Sequence, residues 1–253
     1  MTKAKVLLVE DEGVAAQMAV TELHSVLSCE ITVVPDPVEA LTRLAHEPVD
    51  LAVVDMLYQA HSVEFEQRRR LGQVKLTDRR LHLSGLAVLH AARTANPAAK
   101  TVLWTNGEPN RRLHMMFALE QLGCRVMCPK DAVGKLAAAV RAAVEEREHI
   151  DPLLRMYFPP PSAPTLAETF FTSSTRLAVW RAIALGVHEH AAIGAVVGVT
   201  AGTVRSGMDA LRSRLVAFDP GCSPDGSPSA EVLRYASQNW QFFLDDTVRE
   251  FHR

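Results

Sequence analysis

Val49-Asp-Leu-Ala-Val-Val-Asp55 is a short apolar run closed by a carboxylate, and an earlier run, Lys5-Val-Leu-Leu-Val-Glu10-Asp11, ends the same way. Leu, Ala and Val in such continuous runs read as fully buried parallel strands. Open α/β sheets bind ligands where their strands end, so Glu10, Asp11 and Asp55 are expected to share one cleft. Clustered carboxylates raise one another's pKa unless a cation sits among them. An all-oxygen site with room for water suits Mg2+.

Two further runs extend the pattern. Lys100-Thr-Val-Leu-Trp-Thr105 ends in a hydroxyl, and Val126-Met-Cys-Pro-Lys130 ends in an amine. The order acid pair, acid, hydroxyl, lysine, each after an apolar run, resembles the receiver domain of two-component response regulators over roughly residues 3 to 148. That resemblance implies Asp55 as phosphoacceptor, and Glu10, Asp11, Asp55 and the Leu57 carbonyl as Mg2+ ligands. It implies Thr105 and Lys130 as the groups that bind the acquired phosphoryl. The chemistry is coherent, because a metal and an ammonium draw charge off a phosphoryl group in transfer while positioning does the rest.

The chain departs from that family in two places. Between Asp55 and Ser84-Gly85-Leu86 lies a long insertion, about residues 58 to 83. It carries Glu64, Phe65, Glu66, Arg68-Arg69-Arg70, Lys75, Arg79 and Arg80. Loops of this length in compact domains are functional or disordered. A solvated excursion, a lid over Asp55 and a docking surface are its three readings. Met127 stands three positions before Lys130, where the family tends to have an aromatic switch residue.

The rest of the first 150 residues supplies the scaffold. Val14 and Met18 suit a first helix. Asp36-Pro37-Val38-Glu39 opens a second with an acidic cap, a first-turn proline and Glu at the capping-box position. Leu86 to Ala92 fits a third helix, about Asn110 to Leu122 a fourth with Gly123 as its stop, and Ala132 to about Glu148 a fifth. Strands alternating with helices predict an α/β, doubly wound, five-stranded parallel sheet of flavodoxin type.

After Asp151 the character changes. Residues 151–168 include Phe158-Pro159-Pro160-Pro161-Ser162-Ala163-Pro164 and are read as a proline-rich linker, extended and semi-rigid. An all-α segment follows. Thr175 to Gly186 reads as a helix, Ala191 to Val197 as a short one, Gly198-Val199 as a turn, and Thr200 to Leu215 as a longer helix. Val204, Met208, Leu211 and Leu215 recur on its inner face. Short helix, glycine turn and polar-fronted helix are the parts of a helix-turn-helix.

The stretch from about Thr172 to Leu215 resembles the LuxR/NarL-type output domain, through Ile193, Val197-Gly198-Val199-Thr200, Gly202-Thr203-Val204-Arg205 and Arg214-Leu215. Lys130-Asp131-Ala132 looks like the receiver ending usual in that family. The resemblance places DNA contacts at Thr203, Arg205 and Ser206 and a backbone phosphate contact at Arg214; Arg212 shares a face with Arg205. Residues 169–218 are thus expected to form a DNA-binding domain, and 219–253 a helical extension packed on it. Between Glu168 and Arg214, five arginines oppose three acids. So small a surplus predicts weak nonspecific electrostatics, which a symmetric dimer would offset.

Composition excludes several classes. In 253 residues at 48% hydrophobic content and net charge −2, no stretch reaches membrane-spanning length. Met1-Thr-Lys is followed at once by an expected strand and not by a signal h-region, so a cytoplasmic location without membrane partners is expected. Cys29, Cys124, Cys128 and Cys222 are too few and too scattered for a disulfide scaffold, and the neighbouring Cys124 and Cys128 read as core thiols over a zinc site. His188 and His190 lack metalloprotease spacing, and no Walker-type loop is present. A phosphohydrolase would want an acid where Leu57 stands.

The expected function is therefore a non-enzymatic, phosphorylation-responsive DNA-binding regulator. Its expected partners are DNA, a sensor histidine kinase or small phosphodonor, a second copy of the chain and, in transcription, RNA polymerase. The alternatives are a regulator with an occluded receiver and a protein-binding adaptor.

Overall fold

The computed structural model describes residues 3–58, 82–219, 221–222 and 226–251. The insertion residues 59–81 lie outside them. The described residues form two compact units, one ending at Phe158 and the other beginning at Pro159.

The first unit begins β1 (Ala4–Val9), α1 (Gly13–Val26), β2 (Cys29–Val34), α2 (Pro37–Leu44) and β3 (Leu51–Val54). After the insertion come α3 (Gly85–Ala95), β4 (Lys100–Thr105), a 3-10 turn (Pro109–Arg111), α4 (Arg112–Glu120) and β5 (Val126–Pro129). It closes with α5 (Lys135–Val144), β6 (His149–Ile150) and α6 (Pro152–Arg155). All strand pairs are parallel, in the order β2-β1-β3-β4-β5-β6.

Strand alternation builds two cores. Val6, Leu8, Leu51, Val53, Val102, Trp104, Val126 and Cys128 meet Ala19 and Leu23 of α1 and Leu136 and Val140 of α5. The intervening residues Leu7, Ala52, Val54, Leu103 and Met127 are buried on the opposite face, the side of α2, α3 and α4. Local chemistry fixes the helix ends as expected. Asp36 accepts a hydrogen bond from the Glu39 N–H at 2.9 Å with Pro37 in the first turn, and Gly123 takes a left-handed conformation after α4.

The expected five-stranded sheet is corrected to six. α5 stops at Val144 rather than near Glu148, Glu146 turns the chain with φ 55°, and His149–Ile150 pairs with Val126–Met127. The Asp151 N–H then reaches the Met127 carbonyl at 3.0 Å, and the Asp151 side chain caps α6 and meets Lys135 Nζ at 2.6 Å. Residues 149–158, partly assigned by sequence to the linker, thus pack with the sheet.

The second unit holds α7 (Leu166–Phe170), α8 (Ser174–Ala184), α9 (His190–Val197), α10 (Ala201–Phe218), α11 (Pro228–Gln238), α12 (Trp240–Leu244) and α13 (Asp246–Glu250). Within its proline tract the Ala163 N–H returns to the Pro160 carbonyl at 2.9 Å, a turn where an extended spacer was expected. Thr165 and Glu168 form a reciprocal capping box on α7. The core is aromatic. Phe170 lies 5.4 Å from Trp180, 5.2 Å from Phe218 and 5.9 Å from Tyr235, and Trp180 stacks on Phe243 at 5.0 Å. The C-terminal residues therefore pack within the second unit, and their helix breaks at Asn239 instead of running as one. No single helix among the described residues is long and apolar enough to cross a membrane.

Candidate functional site

Strand register brings the acids together. Val9 of β1 lies beside Val54 of β3, and the Asp55 N–H donates to the Val9 carbonyl at 3.1 Å, so Glu10 and Asp55 occupy neighbouring strand tips. Glu10, Asp11 and Asp55 each offer a carboxylate oxygen within 4.8 Å of the others. Lys130, just past β5, places Nζ 2.5 Å from Glu10 Oε2 and 2.8 Å from Asp55 Oδ2. The Trp104 ring lies 5.3 Å from that nitrogen, within cation–π range. Thr105, at the end of β4, is fully buried.

The electrostatics follow from burial. Glu10 is 3% exposed and Asp55 2%. Removal from water pushes the Glu10 carboxyl above its ordinary range, while the Lys130 ammonium pulls the other way. Burial beside Asp55 raises the Tyr58 phenol further still, so it remains a donor, and its hydroxyl donates to the Asp55 carbonyl at 2.8 Å. The Met56 N–H donates to Asp55 Oδ1 at 2.6 Å and the Glu12 N–H to Glu10 Oε1 at 3.1 Å.

Sequence reasoning missed one member of the site. Arg111, on the 3-10 turn after β4, is 8% exposed. Its Nη1 donates to Asp55 Oδ1 at 3.0 Å and to Thr105 Oγ1 at 2.7 Å, and its Nε to Glu108 Oε2 at 3.2 Å. An isolated arginine after Pro109-Asn110 carries no local signal of this, because its partner Asp55 is 56 residues away. Three carboxylates thus face two fixed cations. Glu108 shares Arg111, so carboxylates outnumber cations, and the all-oxygen donor set of Glu10, Asp11 and Asp55 matches what a hard divalent ion takes.

The neck of the insertion is built on Asp55. Gly85 at the start of α3 donates its N–H to the Met56 carbonyl at 3.0 Å. A Cβ there would stand 2.1 Å from the Asp55 carbonyl oxygen, so only glycine fits. Met56, Leu57, Tyr58 and Leu83 are all buried, and the Ser84 hydroxyl caps α3.

In the second unit α9 and α10 meet at 100°, within the range of a helix-turn-helix. Gly198 caps α9 with φ 80°, and a Cβ on Gly194 would stand 2.6 Å from the Val199 carbonyl, so the turn is drawn tightly against α9. Val204, Met208, Leu211 and Leu215 of α10 are buried, as their spacing predicts, while Thr203, Arg205 and Ser206 are exposed. Arg212 and Arg214 are half-buried. Arg212 Nη1 donates to the Gly226 carbonyl at 2.8 Å and Arg214 Nη1 to the Glu168 carbonyl. His188 is exposed, and His190 Nε2 lies 3.0 Å from Ser229 Oγ. All four cysteines are free and buried, which agrees with core thiols.

No protein-family model matches this chain, and no curated protein sequence matches it. Among solved structures it is similar to RcsB in a structure of two RcsB dimers bound to two parallel DNAs. The TM-score is 0.52 at 13% identity, over 94% of this chain and 99% of that one. RcsB of Salmonella enterica serovar Typhimurium bound to promoter rprA with the phosphomimetic BeF3− gives 0.49 at 14%, over 93% and 99%. A LuxR-family two-component response regulator of Aurantimonas sp. SI85-9A1 gives 0.46 at 15%, over 62% and 95%. At such identities the first of these likenesses speaks for architecture, and it agrees with the parallel sheet and the helix-turn-helix just described. The chain thus has the fold of a response regulator, a receiver-type α/β domain followed by a helix-turn-helix domain.

Proposed function

We propose that this chain is a phosphorylation-responsive DNA-binding transcriptional regulator, with residues 3–158 as receiver and the helix-turn-helix unit as output. The observation that carries this reading is the convergence of Asp55, Glu10, Asp11, Thr105 and Lys130 at adjoining strand ends. An Asp55 carboxylate oxygen attacks the phosphorus of a phosphohistidine on a sensor kinase or of a small acyl phosphate. The new O–P bond forms as the donor's P–N or P–O bond breaks, and the electron pair leaves with the donor. Lys130 and Thr105 hold the incoming phosphoryl oxygens. Glu10, Asp11, Asp55 and the Leu57 carbonyl would hold Mg2+, which supplies charge withdrawal from the phosphoryl group when bound.

On the DNA side, Thr203, Arg205 and Ser206 form the exposed front of α10, with Arg214 as a backbone phosphate contact and Arg212 on the face of Arg205. Arg205 is the residue expected to read a base edge. RcsB was captured as dimers on DNA, and a symmetric dimer of this chain would double its contacts in the same way. RNA polymerase is the partner through which such a dimer would act on transcription.

The test pairs two measurements on the full chain. Intact-mass spectrometry after acetyl phosphate and Mg2+ should show one added phosphoryl group, absent in Asp55→Asn. Genomic occupancy should differ between wild type and Asp55→Asn and collapse in Arg205→Ala. Unmodified Asp55 with unchanged occupancy would leave a phosphorylation-independent regulator. Occupancy that is nil for wild type would leave a protein-binding adaptor.

A further inference from the structure

We propose that Arg111 is a phosphoryl-binding residue of this site, so that the phosphoryl group on Asp55 is held by a guanidinium as well as by the Lys130 ammonium and the Thr105 hydroxyl. This deepens the phosphoacceptor reading above and rests on it.

The argument begins with how the guanidinium is used. It carries five N–H donors in a planar fork. Both hydrogens of Nη1 are engaged, one on Asp55 Oδ1 and one on Thr105 Oγ1, and Nε serves Glu108. Nη2 makes no hydrogen bond among the described residues. A structural Arg–carboxylate pair would normally present two nitrogens to two oxygens of one carboxylate. Here a single nitrogen divides itself between the phosphoacceptor and the hydroxyl beside it, and the remaining arm of a nearly buried cation stays unused. That arm is an available donor, and a phosphoryl group brings three strong acceptor oxygens and about one more negative charge than the carboxylate it esterifies.

The hydroxyl gains as well. Because Thr105 Oγ1 accepts from Arg111, its own hydrogen remains to be donated to a phosphoryl oxygen. The mount also suits a residue that must shift slightly. Arg111 ends a three-residue 3-10 turn preceded by Asn106-Gly107-Glu108, at the N-cap of α4 and not in the helix interior. Its ion pair with the half-exposed Glu108 anchors the stem of the side chain.

The charge balance makes the role separable from a merely structural one. Arg111 is a cation beside the carboxylates that would hold Mg2+, so it opposes the metal, yet it attracts the phosphoryl group. Its loss should therefore move the two affinities in opposite directions. The probes are Mg2+ alone, read by the fluorescence of Trp104, the only tryptophan in the first unit, and beryllofluoride at saturating Mg2+, read by 19F NMR. Both are applied to the full chain as wild type, Arg111→Gln, Arg111→Lys and Asp55→Asn.

Arg111→Gln is expected to bind beryllofluoride at least tenfold more weakly than wild type and Mg2+ equally or more tightly. Arg111→Lys, which keeps the charge without the fork, should fall between wild type and Arg111→Gln in beryllofluoride affinity and carries the test if Arg111→Gln does not fold. Beryllofluoride affinity in both variants equal to or above wild type would overturn the proposal and make Arg111 a competitor of the phosphoryl group. A joint fall of both affinities would overturn it in favour of a structural strut. Wild type that shows no bound beryllofluoride signal, like Asp55→Asn, would remove the phosphoacceptor reading itself and this proposal with it.

Discussion

Gly85→Ala is a one-methyl perturbation whose effect can be worked out from the structure. The added Cβ would lie 2.1 Å from the Asp55 carbonyl oxygen, 3.0 Å from Val54 Cγ1 and 3.1 Å from the Asp55 carbonyl carbon. Two of these three atoms are backbone of Asp55 itself, and the third lies in the fully buried strand preceding it, so no flexible side-chain end can swing clear. Relief requires α3 and the β3 tip to part by about 1 Å, the kind of overpacking that costs about 1–3 kcal/mol. For a unit of this size that is roughly 2–4 °C in Tm per kcal/mol. The same displacement moves Asp55 relative to Lys130, now 2.8 Å away, and a misplacement of that size lowers the rate of a positioned reaction by on the order of 10²-fold. The assay is thermal unfolding together with the rate of phosphoryl uptake from acetyl phosphate by intact mass. Gly13→Ala is the matched control, since a Cβ there meets nothing within 4 Å. Gly85→Ala that unfolds with Gly13→Ala and takes up phosphoryl at its rate would refute the reasoning.

Three other outcomes are expected. Phe243→Ala removes a ring that is fully buried and stacked on Trp180; it should destabilise the second unit by about 3–5 kcal/mol, read by urea unfolding, and a loss below about 1 kcal/mol would contradict the aromatic core. Asp151→Asn keeps a cap on α6 but loses the carboxylate. Burial opposes the charged form of Asp151, yet Lys135 and the Leu153 N–H outweigh it and hold the carboxyl below its ordinary 3.8. A lowered carboxyl pKa contributes stability that is complete above the ordinary value and lost as pH falls through the folded one. The gap between wild type and Asp151→Asn in a pH series of melts should thus be widest at neutral pH and close below pH 3.8; a gap that widens in acid would reverse the assignment. Gly207→Ala fills open space within α10 and should stabilise the second unit by about 0.5–1 kcal/mol, with no change or a lower melting point as the contrary result.

What the sequence disclosed and what it withheld divide along the range of the interactions. Strands such as Leu51–Val54, the Asp36 cap and the left-handed glycines at 123, 186 and 198 are local events, governed by residues a few positions apart, and periodicity and turn chemistry report them. The acids, Thr105 and Lys130 were legible because each terminates an apolar run and all the strands point the same way. β6 was not, because a two-residue strand has no period to detect and its place is set by the Glu146 turn and by Asp151 binding back to β5. Arg111 was not legible because the sequence places it only at the start of the fourth helix, and only tertiary pairing across 56 residues brings it to Asp55. The break of the C-terminal helix at Asn239 is of the same kind, since Trp240, Phe242 and Phe243 turn inward toward an aromatic cluster contributed by other helices.

The neck at Met56 and Gly85 also bears on how this domain can vary. The two ends of the excursion are clasped by one backbone hydrogen bond, and the entropy of closing a loop grows slowly, by about 0.6 kcal/mol for each doubling in length. By that measure a doubled loop length costs less closure entropy than a single methyl at the clasp costs in overpacking. The clasp fixes where the chain departs from the sheet and where it returns to it.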